Sequence, residues 1–335
     1  MKLQCNLNER SYDIVIERGI LQSLNKVLDC NRRYFVITDE GVPKQHVNKV
    51  LEQCPKAKVF TIPQGESSKC FTWYEACLKE MLNQHYTRND CVIALGGGVV
   101  GDLAGFVAAS YMRGISFINI PTTTLSQIDS SIGGKVGIDV EGTKNCVGAF
   151  WQPQLVLIDP NVLKTLSTRH LYNGLIEALK AGLIADKELF EIFETKDILE
   201  NIDEIILRAL EVKRKVVEED EKEMGIRKIL NFGHTIGHGY ESATNFSQYY
   251  HGECVGLGML AILEDEALKK RTRLILEKMN CPTTIECDRE SVYHYVLQDK
   301  KSNGETITIV QVNELGHAEL NEKSFSDLER LIKTL

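Results

Sequence analysis

Three of the chain's eight histidines fall between positions 234 and 251, in Asn231-Phe232-Gly233-His234-Thr235-Ile236-Gly237-His238 and in His251-Gly252-Glu253. On a helix, His234 and His238 lie one turn apart and share a face, so both can reach one metal ion, while His251 opens the next helix. A lone histidine is more often a cap or a core hydrogen-bonder, but three this close favour metal chemistry. A catalytic zinc takes three protein ligands, often imidazoles with a carboxylate, and keeps a fourth position open. Glu177 is the candidate carboxylate. It lies with Lys180 in Gly174-Leu175-Ile176-Glu177-Ala178-Leu179-Lys180-Ala181, an otherwise apolar helix where a charged pair needs a reason to be buried; an outward-facing salt bridge is the competing account.

A second group of residues suits anionic oxygens. Gly96-Gly97-Gly98 joins the strand-like CVIAL to a helix-like segment beginning near Asp102, and such a turn offers free N–H donors and partial positive charge to a pyrophosphate. The spacing is not G-x-G-x-x-G, so tight strand–helix packing is a real alternative. Glu66 and Lys69 follow another strand-like run and stand one helical turn apart; alone they suggest a solvated i,i+3 pair. Thr122 and Thr123 end a third run. Asp129, Ser130, Ser131, Gly133, Gly134 and Lys135 then pack an acid, two hydroxyls, two glycines and a base into seven residues. Val136 after the lysine excludes a Walker A loop. Lys144 and Asn145 add a cation and an amide to what reads as a loop. Lys213 and Arg227 bracket a charged helix, and Lys300 and Lys301 precede a glycine turn.

The elements that must position these residues change character along the chain. Up to about Pro160, short β-branched runs (YDIVIE, RYFVIT, AKVFTI, CVIAL, ISFINI) alternate with helix-like segments starting near Leu21, Pro43 and Phe71, the pattern of a parallel α/β sheet. The opening MKLQCNL and SYDIVIE predict a hairpin at one edge. Afterwards 3.6-residue apolar spacing predicts helices over Thr168–Ala185, Ile202–Glu223 and His251–Lys270, with a small hairpin in ETITIVQV and HAEL before a last helix from Ser324. Two domains are expected, residues 1–165 and 166–335, sharing a cleft.

Composition bounds the function. Of 335 residues, 43% are hydrophobic and 26% charged, an ordinary globular balance. A formal charge of -8 disfavours nucleic acid or anionic lipid as partner, while a few converging cations still admit a small anionic substrate. The ten cysteines form no C-x-x-C pair, so neither a disulfide framework nor a thiolate metal site is indicated. The first residues carry charges where a signal peptide needs its apolar segment, and no run reaches the ~18 apolar residues of a membrane span. A cytoplasmic location and no membrane association are expected.

Taken together, GGGVVGDLAGFVAASYMRG, IPTTTLSQIDSSIGGKVGID, GLIEALKAG, GIRKILNFGHTIGHGYES and HGECVGLGM resemble the 3-dehydroquinate synthases of the sugar-phosphate cyclase superfamily, in order and spacing. The resemblance implies a Rossmann-like NAD-binding α/β N-terminal domain, a mostly helical C-terminal domain for metal and substrate, and a homodimer. It implies that Glu177, His234 and His251 hold a divalent ion, Zn2+ or Co2+, leaving His238 for proton transfer. NAD would lie against Gly96, Gly97, Gly98, Asp102, Glu66, Lys69, Thr122, Thr123, Asp129, Lys135 and Lys144, with Asp39 at the adenosine ribose. Asp129, Lys135, Lys180 and Asn231 would surround the reacting ring, Lys213 and Arg227 its carboxylate, and Lys135, Asn145 and Lys300 or Lys301 its phosphate. Arg113 would reach the partner subunit's phosphate site. The implied reaction takes 3-deoxy-D-arabino-heptulosonate 7-phosphate to 3-dehydroquinate and phosphate. Competing readings are another cyclase, such as 2-deoxy-scyllo-inosose synthase, a metal-dependent alcohol dehydrogenase, and a non-catalytic binding protein on the same fold.

Overall fold

The computed structural model describes residues 1–244, 248–299 and 306–334. The chain divides into two compact units after Ser167. In the first, β1 (Lys2–Cys5), β2 (Tyr12–Ile16), β3 (Tyr34–Asp39), β4 (Lys58–Ile62), β5 (Cys91–Gly96), β6 (Ser116–Pro121) and β9 (Leu155–Ile158) form a seven-stranded sheet of order β1-β2-β9-β6-β5-β3-β4. The β1–β2 pair is the expected antiparallel edge hairpin, and every other neighbouring pair is parallel. Strands β3, β5 and β6 are nearly continuous apolar runs because helices cover the sheet. Phe35, Ile37, Val92 and Ala94 pack with Met81 of α2 (Phe71–Asn83) and with Leu103 and Val107 of α3 (Gly98–Ser110). The segment after Pro43 is α1 (Lys44–Gln53).

Three local expectations of this unit need correction. No α-helix starts at Leu21: short 3-10 turns occupy Ile20–Gln22 and Leu24–Lys26, because the Gly19, Leu21 and Leu24 N–H groups donate to Asp159 and Gln53 rather than along a helix. The strand β9, missed for its four residues, lies between β2 and β6. Lys144 and Asn145 are not in a loop. They lie on β8 (Thr143–Phe150), which pairs with β7 (Lys135–Val140) as a separate antiparallel hairpin whose glycines blur the alternation.

The second unit is built of α4 (Thr168–Ala185), α5 (Lys187–Thr195), α6 (Ile202–Glu219), α7 (His234–Ala243), α8 (His251–Ile262), α9 (Glu266–Lys278) and α10 (Arg289–Asp299), followed by the hairpin β10 (Thr306–Glu314) and β11 (His317–Ser324) and by α11 (Phe325–Thr334). Helix α6 stops before Glu223 because the Asp220 carboxylate accepts the N–H groups of Met224, Gly225 and Arg227 and turns the chain. The helix expected over His251–Lys270 is two helices, since Leu263 is extended and Asp265 caps α9 by accepting the Leu268 N–H at 2.6 Å. Helices α7 and α8 approach so closely that a Cβ on Gly258 would stand 2.0 Å from the Gly233 carbonyl oxygen. Among the described residues no helix is long and apolar enough to cross a membrane.

Candidate active site

In the helical unit, the buried face of α4 runs unbroken from Asn173 to Ile184, and Glu177 and Lys180 sit inside it, both side chains under 5% exposed. The outward-facing salt bridge is therefore excluded. Lys180 Nζ donates to Glu177 Oε2, while Glu177 Oε1 is buried without a hydrogen-bond partner. That orphan oxygen lies 3.6 Å from His234 Nε2 and 3.6 Å from His251 Nε2. Each imidazole is turned by its other nitrogen: His234 Nδ1 meets the Phe232 carbonyl at 3.1 Å and His251 Nδ1 meets Glu241 Oε1 at 3.3 Å. This leaves both Nε2 atoms aimed at the carboxylate, the outer-shell arrangement that orients metal-ligating histidines.

The ligand atoms of Glu177, His234 and His251 all lie within 4.8 Å of one another, the donor set of a divalent-ion site with an open position. His238 stands beside it, its ring 5.3 Å from that of His234 and 5.9 Å from that of His251. Helix periodicity alone allowed His238 as a ligand, and the structure keeps that open: with Glu241 and His251 it forms a second group whose ligand atoms lie within 4.8 Å of one another. Burial opposes the charge on Glu177, but Lys180 and the imidazoles hold its carboxyl well below the ordinary range. Burial and then Lys180 depress His234, whereas Glu177 and Glu241 outweigh burial at His251 and raise it to about 10.

Two further cations singled out from the sequence are held inside this unit. Lys213 on α6 is buried, and so is Arg227, whose guanidinium donates to the Glu221 carbonyl. Asn231 Nδ2 donates to Glu223 Oε1 at 3.0 Å. Glu223, at φ +60°, was not singled out from sequence, nor was Glu241: nothing in a charged run or a GYES segment marks the one carboxylate that turns inward. Lys300 and Lys301 lie outside the described residues.

In the sheet unit, the Gly96–Gly98 turn ends β5 and starts α3, whose N-cap, Gly97, supplies no side-chain cap. Lys69 is the centre of the polar residues near it. Its side chain is only 5% exposed, and Nζ lies 2.6 Å from Asn145 Oδ1, 2.8 Å from Glu66 Oε1, 3.3 Å from Asp102 Oδ2 and 3.7 Å from Asp139 Oδ1. The solvated-pair account of Glu66 and Lys69 therefore fails for the lysine. Burial works against its charge, yet Asp102 and Glu66 hold its ammonium above the usual range. Asp139, also missed, accepts the Asn145 N–H at 2.7 Å and keeps that residue at φ +54°.

Thr122 follows β6 with its N–H on the Gly96 carbonyl, and Thr123 Oγ lies 2.8 Å from Ser126 Oγ. Asp129 lies in a π-helical turn, Ser126–Ser130, a local widening often found at functional sites. Asp39 accepts the Gly41 and Val42 N–H groups at 2.8 and 3.2 Å. Lys135 and Lys144 are exposed, as is Arg113 in a turn at φ +67°.

Family models described as 3-dehydroquinate synthase N-terminal and C-terminal match residues 59–173 and 174–302. The chain is 41% identical over 355 residues to the 3-dehydroquinate synthase of Lactococcus lactis subsp. cremoris (strain MG1363), covering 99% of this chain and 100% of that one. It is 42% identical over 354 residues to that of Streptococcus mutans serotype c (strain ATCC 700610 / UA159), with the same coverage. Among solved structures, 2-epi-5-epi-valiolone synthase from Streptomyces hygroscopicus subsp. jinggangensis 5008, with NAD+ and Zn2+ bound, aligns at TM-score 0.89 and 26% identity, covering 98% of this chain and 96% of that one. A 2-deoxy-scyllo-inosose synthase complexed with carbaglucose-6-phosphate, NAD+ and Co2+ aligns over all of both chains at TM-score 0.90 but 22% identity, a likeness of fold.

Proposed function

This chain belongs to the 3-dehydroquinate synthase family, and we propose that the residues described above carry the family's reaction, the conversion of 3-deoxy-D-arabino-heptulosonate 7-phosphate to 3-dehydroquinate and phosphate. The observation that carries the assignment is the buried, unpartnered Glu177 Oε1 facing two imidazoles whose other nitrogens are already engaged. A buried carboxylate oxygen without a donor is costly unless a cation meets it.

Glu177, His234 and His251 would hold one divalent ion, Zn2+ or Co2+. NAD would lie along the Gly96–Gly98 turn with Asp102, Glu66, Lys69, Thr122, Thr123, Asp129, Lys135, Lys144 and Asp39. NAD, when bound, would supply reversible hydride acceptance at substrate C5, and the ion would polarise the adjacent hydroxyls. The chain's own groups do the rest. Lys213 and Arg227, both buried, suit a carboxylate that leaves water. Lys135, Asn145 and a lysine at 300 or 301 suit the phosphate, with Arg113 offered to the partner subunit of a homodimer. Lys180, Asp129 and Asn231 orient the ring.

Oxidation at C5 acidifies the C6 proton, and departure of that proton with the C7 phosphate leaves an enone, the phosphate serving as base. After the hydride returns, His238 moves the proton that opens the ring, and aldol closure gives the product. Fixed cations and enclosure favour these steps over loss of intermediates to water.

Two substitutions divide the histidine cluster. Glu177→Gln is expected to lose both bound metal and turnover, and full activity of that variant in chelator-treated buffer would refute the ligand set. His238→Ala is expected to keep its metal and lose turnover; a metal-free His238→Ala protein would mean that the histidine roles are divided wrongly.

A further inference from the structure

Helix α4 carries Arg169, Asn173 and Glu177 at successive i,i+4 positions, hence on one face. Glu177 meets His251 at the first residue of α8. The other two grip the same turn of α8. Arg169 Nε donates to Glu253 Oε1 and Nη2 to Glu253 Oε2, both at 2.7 Å, the bidentate fork that fixes direction as well as distance. Arg169 Nη2 also donates to the Gln248 carbonyl at 2.9 Å, and its guanidinium lies 4.2 Å from the centre of the Tyr250 ring. The Glu253 carboxylate, 6% exposed, takes the Tyr250 N–H at 2.9 Å, and the Glu253 N–H donates to Asn173 Oδ1 at 3.3 Å. Between them stands Gly252, where a Cβ would lie 2.0 Å from the Asn173 carbonyl oxygen, so the two backbones touch.

We infer that Arg169, Asn173 and Glu253 are positioning residues for the divalent ion, a clamp that sets the register of α8 on α4 and thereby the place of His251 relative to Glu177. The inference rests on the ligand set proposed above. Arg169 and Glu177 are eight residues apart, about 12 Å along α4, and the long arginine reaches back so that their partners Glu253 and His251 share the first turn of α8. Metal–ligand distances tolerate about 0.2 Å, whereas a one-residue slip of α8 moves His251 by about 1.5 Å. Glu253 touches no ligand atom in the structure. Its effect would pass through the backbone of the two residues before it.

The test is zinc affinity of the full-length, chelator-stripped protein, measured by competition with a fluorescent zinc indicator, together with the absorption spectrum of the cobalt-loaded form. Arg169→Lys keeps the charge without the fork, and Glu253→Gln keeps the shape without the charge. Each is expected to bind zinc about 10- to 100-fold more weakly, the loss typical of outer-shell changes, with an altered cobalt band. If either single variant is unfolded before metal is added, Arg169→Met/Glu253→Gln removes both charges together, leaves none unpaired, and is expected to fold and still bind weakly. Folded variants with wild-type zinc affinity and an unchanged cobalt band overturn the clamp. Glu177→Gln is the control: if it loses zinc while the clamp variants do not, only the clamp fails, and if it binds as wild type, the ligand set itself fails.

Discussion

Lys180→Met separates the two partners competing for Glu177. The Lys180 ammonium donates to Glu177 Oε2 with both side chains almost wholly buried. Two unit charges about 4 Å apart at an effective dielectric near 20 attract by about 4 kcal/mol, and breaking one side of a buried pair costs about 3–5 kcal/mol. The imidazole nitrogens of His234 and His251 stand 3.6 Å from the other oxygen of Glu177 and soften the loss, so the lower end, about 3 kcal/mol, applies. In the zinc-loaded chain the ion neutralises the carboxylate and repels Lys180, so the same substitution should cost within about 1 kcal/mol. The difference, about 2 kcal/mol, must appear as zinc binding roughly 30-fold tighter in the variant. Urea unfolding of stripped and zinc-saturated protein gives the two stabilities, and indicator competition gives the affinity. Equal losses with and without zinc, or weaker zinc binding, would refute the view that lysine and ion, on the two oxygens of one carboxylate, oppose each other.

Chelation of the wild-type protein should abolish turnover and remove about 2.7 kcal/mol of the stability measured with zinc at 100 times its dissociation constant, both restored by Zn2+ or Co2+. Gly233→Ala forces a side chain onto φ +78° and within 2.7 Å of Met259 and the Val255 carbonyl, so it should cost at least about 3 kcal/mol by denaturant unfolding. Gly142→Ala, at φ +80° with nothing within 4 Å, should cost only about 1–2 kcal/mol. Burial raises the Asp39 carboxyl despite its backbone donors, so its ionised form is disfavoured by folding, and its contribution, present at low pH, is lost as pH rises through the folded value. Asp39→Asn should therefore gain stability over wild type at pH 7, with the gap closing near pH 3, while NAD binds more weakly.

Much of the frame was legible because burial imposes a period. The runs of β3 to β6 and the apolar faces of α4 and α6 are long enough to declare themselves. What escaped depends on partners distant in the chain. The 3-10 turns near Leu21 follow from Asp159 and Gln53, which take the N–H groups a helix would have used. The β7–β8 hairpin hides behind glycines such as Gly137, where a Cβ would stand 2.7 Å from the Val147 carbonyl oxygen. At the site, residue type flagged Glu177, His234, His238 and His251, and the family resemblance set His238 apart, but only folding shows Asp139 tying Asn145 to the Lys69 cluster, or Glu241 turning His251 toward Glu177. Such carboxylates act by orientation, which leaves no spacing to detect.

The most direct measurement is turnover of 3-deoxy-D-arabino-heptulosonate 7-phosphate by the zinc-loaded enzyme with NAD+ far below the substrate concentration. Hydride that leaves and returns within one cycle predicts equal amounts of phosphate and 3-dehydroquinate, many of each per NAD, with no build-up of NADH. Product formation that halts at one equivalent of NAD, with NADH accumulating in step, would contradict it.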